Sequence, residues 1–239
     1  MVKIQFIIVG WHYFEEVIDQ FYELVELEQE DVEINIFWAC HKKPPLSVSE
    51  NFHWGAFPNL GLEDGAYQQG LELLEELGYV NEDSILFFMH DDLIIKDWGF
   101  ITRCVHLLNQ QNYKFIGNGT NYPATVNLNE LVRGKPYQHW VKPEARNLFD
   151  RSMYVLTIRE SFLCTKRNYL REIFDFEVIW EEPVPDENGK VHIGGIGNLQ
   201  QTLLGYKICR VHGPECITYL GREYQKSAYI FECARGSLS

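Results

Sequence analysis

The sequence predicts an α/β fold with a mixed central sheet flanked by helices, and three observations carry that prediction. Ser84 to Phe88 (SILFF) is an apolar, β-branched and aromatic run that ends abruptly in Met89, His90, Asp91 and Asp92. It reads as a buried strand that delivers two carboxylates and an imidazole to its C-terminal end. Upstream, two more strand-like runs alternate with stretches of helical spacing, so residues 3–88 read β-α-β-α-β, with connections that suit right-handed crossovers between parallel strands. Downstream the alternation gives way to an irregular, aromatic-rich half, which predicts a sheet that is not purely parallel.

Lys3 to Val9 (KIQFIIV) is the first strand, closed by Gly10. Glu15 to Leu27 places Val17, Ile18, Phe21, Leu24 and Val25 at helical spacing. Val32 to Trp38 alternates at first and then turns fully apolar, before Ala39-Cys40-His41-Lys42-Lys43 and two prolines stop it. Residues 44–60 read as a loop, and Gly65 to Leu77 as an amphipathic helix ended by Gly78. In the second half, Lys114 to Ile116 leads into the turn-rich GNGTNYP, and Leu128 to Arg151 shows no clear period. Tyr154 to Cys164 reads as a strand region and Lys166 to Phe174 as a helix. Leu199 to Leu204 reads as a helix closed by Gly205, and Tyr206 to Val211 as a strand that delivers His212-Gly213-Pro214.

With 239 residues, 46% of them hydrophobic, the chain can bury the core of one large domain or of two closely packed halves. A formal net charge of -13 argues against nucleic acid as a partner, because that affinity rests on Lys and Arg neutralising phosphates. It leaves room for a small phosphorylated ligand held through a metal. The opening MVKIQFIIVG is too short for a transmembrane segment and lacks a cleavage site for a signal peptide. The 6 cysteines show no CxxC spacing and read as free thiols of a cytoplasmic protein.

Two places carry chemistry. Adjacent carboxylates at the end of a buried strand suit a hard divalent cation and the phosphates that it carries, since open α/β sheets bind ligands at that edge; the plainer reading of Asp91 and Asp92 is a solvated turn. The Asn59 to Gly65 turn opens a helix, whose N-terminus favours phosphate or ribose oxygens. Gly61 and Gly65 either permit close approach of a ligand or simply allow the turn.

The order of these motifs resembles the GT-A fold glycosyltransferases, and family 2 in particular. Asn59-Leu60-Gly61-Leu62-Glu63-Asp64-Gly65-Ala66-Tyr67-Gln68-Gln69-Gly70 is similar to that family's N-x-G-x-x-x-G-A-x-N-x-G turn and helix. His90-Asp91-Asp92 stands where the family has its DXD metal motif. Phe162 to Arg167, Phe174-Asp175 and Leu204 to Ile208 are similar to its acceptor-side segments and its later G-Y-K-I. The resemblance spans most of residues 3–212. It implies a single GT-A domain over residues 1–239, with a nucleotide-sugar half to about residue 122 and an acceptor half from about 123.

The resemblance further implies a metal-dependent transfer of sugar from a nucleotide-diphosphate donor of UDP or GDP type to a glycan or glycoconjugate. Mn2+ or Mg2+ would be held by Asp92 directly and by Asp91 through water, unless Asp91 accepts from a ribose hydroxyl. His90 replaces the acid more usual there and is left to hydrogen bond or to pack. His212 is implied as a further metal ligand after a late strand, or as a plain cap on that strand. The nucleotide is expected across Val9, Gly10 and Trp11 and against Asn59, Gly61 and Gly65. An inverting base is expected after Phe174-Asp175. Counting forward reaches Glu181 and Glu182, whereas counting back from Gly205 reaches Ile193-Gly194, and an insertion at PVPDENGKVH accounts for the conflict; the plainer reading of the two glutamates is an exposed acidic loop, and without a base the transfer would be retaining or absent. Two other readings compete: a silent nucleotide- or sugar-binding module that has lost its base, and a nucleotidyltransferase, whose glycine-rich basic loop is missing at VGWHYFEE.

Overall fold

Ile4, Phe6 and Ile8 alternate with Ile7 and Val9 along one strand and all are buried, so that strand needs cover on both faces. The computed structural model describes residues 2–11, 15–26, 32–40, 51–58, 61–110, 112–120, 124–127, 152–156, 158–159, 161–173, 175–176, 196–223 and 226–232. Within these, β1 (Val2–Gly10) lies inside a seven-stranded sheet with β2 (Val32–Cys40), β3 (Phe52–Ala56), β4 (Ile85–His90), β6 (Phe115–Gly117), β9 (Phe162–Lys166) and β10 (Ile217–Tyr219). The order across the sheet is β10-β6-β9-β4-β1-β2-β3. β3, β2, β1 and β4 run parallel, as do β10 and β6, while β9 runs antiparallel between β4 and β6. The sheet is therefore mixed, as the sequence predicts. Two small pairs stand outside it: β5 (Leu93–Ile95) with β11 (Ile230–Glu232), and β7 (Ala124–Asn127) with β8 (Ser152–Val155).

Helices cover both faces. α1 (Glu15–Glu26) and α3 (Phe100–Gln110) place Val17, Phe21, Leu24, Phe100 and Leu107 in one core with Ile4, Phe6 and Ile8. Phe6 stacks on Phe87 at 4.7 Å between ring centres, an arrangement worth about 0.5–1.5 kcal/mol beyond its buried area. On the other face, α2 (Leu62–Glu76), α4 (Arg167–Glu172) and α5 (Ile196–His212) pack Tyr67, Leu71, Leu170, Leu204 and Ile208 against Ile7, Val9 and Phe88. Gly70 lets α2 approach closely, because a Cβ there would lie 2.9 Å from Ile7.

Several sequence-based expectations change. The expected strand Tyr206 to Val211 is the C-terminal part of α5, which runs through Gly205. Its buried Leu203, Leu204 and Ile208 follow helical spacing, and that packing outweighs both the β-propensity of Ile208 and Val211 and the roughly 1 kcal/mol cost of an interior glycine. The loop expected over 44–60 contains β3, the edge strand of the sheet. The single strand region expected over 154–164 resolves into β8 and β9. α3 has helical spacing that the sequence reading passed over.

The far edge of the sheet, where β4 begins, is closed by charge. Arg167 is buried and pairs through both terminal nitrogens with Asp175 and through Nε with Glu75; Arg171 bridges Glu75 and Glu82. The Arg167 backbone N–H meets the Ser84 carbonyl at 3.0 Å, which ties the start of α4 to the start of β4.

Candidate active site

The C-terminal ends of β1 and β4 are joined at the opposite edge by Asp91. Its backbone N–H donates to the Val9 carbonyl at 3.3 Å, and its Oδ2 accepts from the Trp11 N–H at 2.8 Å. The residue is only 1% exposed. Asp91 thus holds the Val9-Gly10-Trp11 turn in place, and one carboxylate oxygen is committed to that task. Asp92 is the more open of the pair: its side chain is 14% exposed and its Oδ1 lies 3.9 Å from Nδ1 of His90. His90 closes β4, donates its N–H to the Ser161 carbonyl and packs against the Tyr67 ring at 6.3 Å.

Gly10 is fixed by packing. A side chain there would collide with the indole of Trp38, which is fully buried beneath it. Trp11, next in the chain, is 38% exposed and presents a broad aromatic surface beside Asp91. Gly61 precedes α2 with φ 76, a conformation that suits glycine, and its carbonyl accepts from the Gly65 N–H at 3.1 Å and from Gln200 Nε2 at 2.8 Å. The Gly65 amide is therefore spent inside the helix. Glu63 and Asp64 occupy the first turn of α2, and their carboxylates make that helix end a poor cradle for phosphate. Asn59, Glu181 and Glu182 lie outside the described residues.

His212 is not part of this site. It ends α5 and not a strand, and its ring lies 5.7 Å from that of Phe115, at the start of β6. Lys114 Nζ donates to its Nδ1 at 2.9 Å, and its Nε2 lies 3.3 Å from Glu172. β6 runs level with β9, which pairs Thr165 with both Phe115 and Leu86. His212 thus sits at the far edge, separated from Asp92 by most of the length of β4, roughly 16 Å of strand. The expectation of a shared metal fails because the chain carrying His212 is helix and runs to the wrong edge.

The far-edge location has a measurable consequence. Burial lowers the His212 pKa from 6.5, the Lys114 charge lowers it further, and Glu172 opposes both. The folded state therefore binds fewer protons than the unfolded chain just below pH 6.5. Stability from this group is complete above about pH 6.5 and is lost as the pH falls through the lowered folded value. Wild type should lose melting temperature more steeply than His212→Gln between about pH 7 and pH 5.5. Parallel melting curves would contradict the assignment.

Among the described residues no group of three His, Cys, Asp or Glu side chains could hold a metal ion by itself. What the site offers is a pair of hard carboxylate donors, Asp92 the more exposed of the two. That donor chemistry fits Mg2+ or Mn2+ whose remaining positions are filled by water or by ligand phosphates.

The sequence reading did not single out Tyr67, Asp64, Gln200 or Phe176. Asp64 and Tyr67 share a face of α2 at i, i+3 spacing, but the expected helix began at Gly65, one residue after Asp64. Gln200 had no usable signal, because its contact with Gly61 crosses 139 residues.

No protein-family model and no curated protein matches the chain. Among solved structures, the chain is similar to glucosyl-3-phosphoglycerate synthase from Mycobacterium tuberculosis in complex with Mn2+, UDP-glucose and phosphoglyceric acid. That similarity has 14% sequence identity, a TM-score of 0.49, and covers 92% of this chain and 69% of that one. It is also similar to a mannosyltransferase from Pyrobaculum calidifontis in complex with GDP-Man and Mn2+, with 10% identity, a TM-score of 0.35, and coverage of 72% and 47%. Among the described residues, no helix is long and apolar enough to cross a membrane.

Proposed function

We propose that this chain is a GT-A glycosyltransferase that moves a sugar from a nucleotide-diphosphate donor to a glycan or glycoconjugate acceptor. One observation carries the reading: Asp91 ties the turn after β1 to the end of β4, so the Val9-Gly10-Trp11 turn and Asp92 share one edge. A nucleotide laid across that turn, with Trp11 available to its base or ribose, brings its diphosphate toward Asp92. Asp92 would hold Mn2+ or Mg2+ directly, with Asp91 holding the turn and contributing through water. Such a cation supplies charge neutralisation at the diphosphate oxygens. His90 packs on Tyr67 and adds no negative charge to the motif. Glu181 or Glu182 removes the proton from the acceptor hydroxyl in an inverting transfer. The donor half runs to about residue 122 and the acceptor half follows within one domain. The buried thiols Cys40, Cys104, Cys164 and Cys216 favour a cytoplasmic setting.

Thermal shift with UDP and with GDP, each with and without Mn2+, tests the reading. A nucleotide held at 100 times its Kd stabilises by about 2.7 kcal/mol, which for a chain of this size raises Tm by roughly 5–10 °C. The rise is expected only when nucleotide and metal are present together. Absence of any nucleotide-dependent rise overturns the proposal. A rise without release of sugar from any donor points instead to a silent binding module.

A further inference from the structure

The first turn of α2 holds a group of side chains that the metal and nucleotide do not use. Asp64 is 8% exposed and, among the described residues, its Oδ1 has no hydrogen-bond partner. Gln200 is 2% exposed and reaches from α5 to donate its amide to the Gly61 carbonyl at 2.8 Å. That bond fixes the orientation of the amide and leaves its Oε1 buried without a partner among the described residues. A buried acceptor left unpaired costs about 1–3 kcal/mol, so the two, one in the first turn of α2 and one on the α5 residue bonded to Gly61, point to a hydrogen-bond donor arriving from outside. A phosphate supplies mostly acceptors and would also meet the Glu63 carboxylate beside Asp64. Hydroxyl groups supply what is missing.

The position suits a ligand of the same site. Tyr67, one turn beyond Asp64 on the same helix face, lies 6.3 Å from the His90 ring at the end of β4. Asp64, nearer the helix start, therefore stands beyond the sheet edge that carries Asp92. We propose that Asp64 and Gln200 form the sugar end of this site and accept hydrogen bonds from hydroxyls of a hexose. This rests on the glycosyl-transfer reading. Burial and the neighbouring Glu63 hold the Asp64 carboxyl at about 7, with the Lys207 charge pulling it down, so it is poised to ionise when a donor reaches it.

Calorimetric titration in the presence of Mn2+ tests the proposal, using UDP, UDP-glucose, GDP and GDP-mannose against wild type, Asp64→Leu, Gln200→Leu and Asp64→Asn. The leucine variants should bind the nucleotide sugar about tenfold or more weakly, equivalent to about 1.4 kcal/mol, while binding the free nucleotide as wild type does. Asp64→Asn, which keeps an acceptor, should recover part of the loss. If the loss appears instead in KM for a hexose acceptor, with donor affinity unchanged, the pocket holds the acceptor sugar and the proposal stands. Equal losses for nucleotide and nucleotide sugar would show that these residues only support the helix, and no loss in either arm would also overturn the proposal. If a leucine variant fails to fold, the Asp64→Asn comparison of UDP with UDP-glucose decides. If wild type binds no nucleotide, the glycosyl-transfer reading fails separately. Ligand-observed NMR with methyl glucoside then decides the pocket: binding lost in Asp64→Leu upholds it, and absence of binding to wild type rejects it.

Discussion

Asp92→Ala should remain folded and lose the nucleotide binding that depends on manganese. The two carboxylates of the motif are unequal in the structure. Asp91 is buried and commits Oδ2 to the Trp11 amide, whereas the Asp92 side chain stays partly open at the sheet edge. Removing Asp92 therefore takes away the more exposed carboxylate without cutting the tie between β1 and β4. Because no described cluster completes a cation shell from protein alone, metal and nucleotide should bind cooperatively, each supplying what the other lacks. Titration of UDP or GDP with and without Mn2+ measures this directly. In Asp92→Ala the two curves should coincide at the metal-free level, and a folded variant with unchanged manganese-dependent affinity would end the metal-site assignment.

A second large effect is expected at the acceptor. If an acidic side chain after Phe174-Asp175 takes the hydroxyl proton, then Glu181→Gln or Glu182→Gln should slow transfer by about 10²- to 10⁴-fold and leave donor affinity nearly unchanged. Both positions lie outside the described residues, but the chain leading toward them is well anchored. Asp175 is held by Arg167, its carbonyl accepts from Lys207 at 3.3 Å, and Phe176 packs on Tyr67 and Phe88. The product should have the anomeric configuration opposite to the donor's. Wild-type rates in both variants, or retained configuration, would remove these glutamates from the mechanism.

The first half of the fold was legible because its signals are local. The continuous apolar runs of β1, β2 and β4 are what strands buried on both faces require, and the apolar periodicity of α1 and α2 survives into the structure. The second half was less legible because long-range packing decides it. Gly205 looked like a helix stop, yet Leu204 and Ile208 are buried against the sheet and carry α5 past it. That one misjudged segment also misplaced His212, since a strand and a helix deliver their last residue to opposite edges. In the site, Asp91 and Asp92 were visible as a motif with unequal roles, but the hold of Asp91 on the Trp11 amide was not. It depends on a hydrogen bond between residues 80 apart in the chain.

The bond from Gln200 to Gly61 also bears on how the protein is assembled during synthesis. β1, β2, β3 and β4 with their helices come from residues 2–90, so the edge bearing Asp91 and Asp92 can form early from contacts of moderate sequence separation. The polar turn at Gly61 cannot be completed then, because its partner lies 139 residues downstream. Closing so long a loop costs little more free energy than closing a shorter one, but the contact must wait for α5 to be made. A nascent chain would thus display the acidic motif well before Gln200 is made, and completion of the Gly61 turn would coincide with docking of α5.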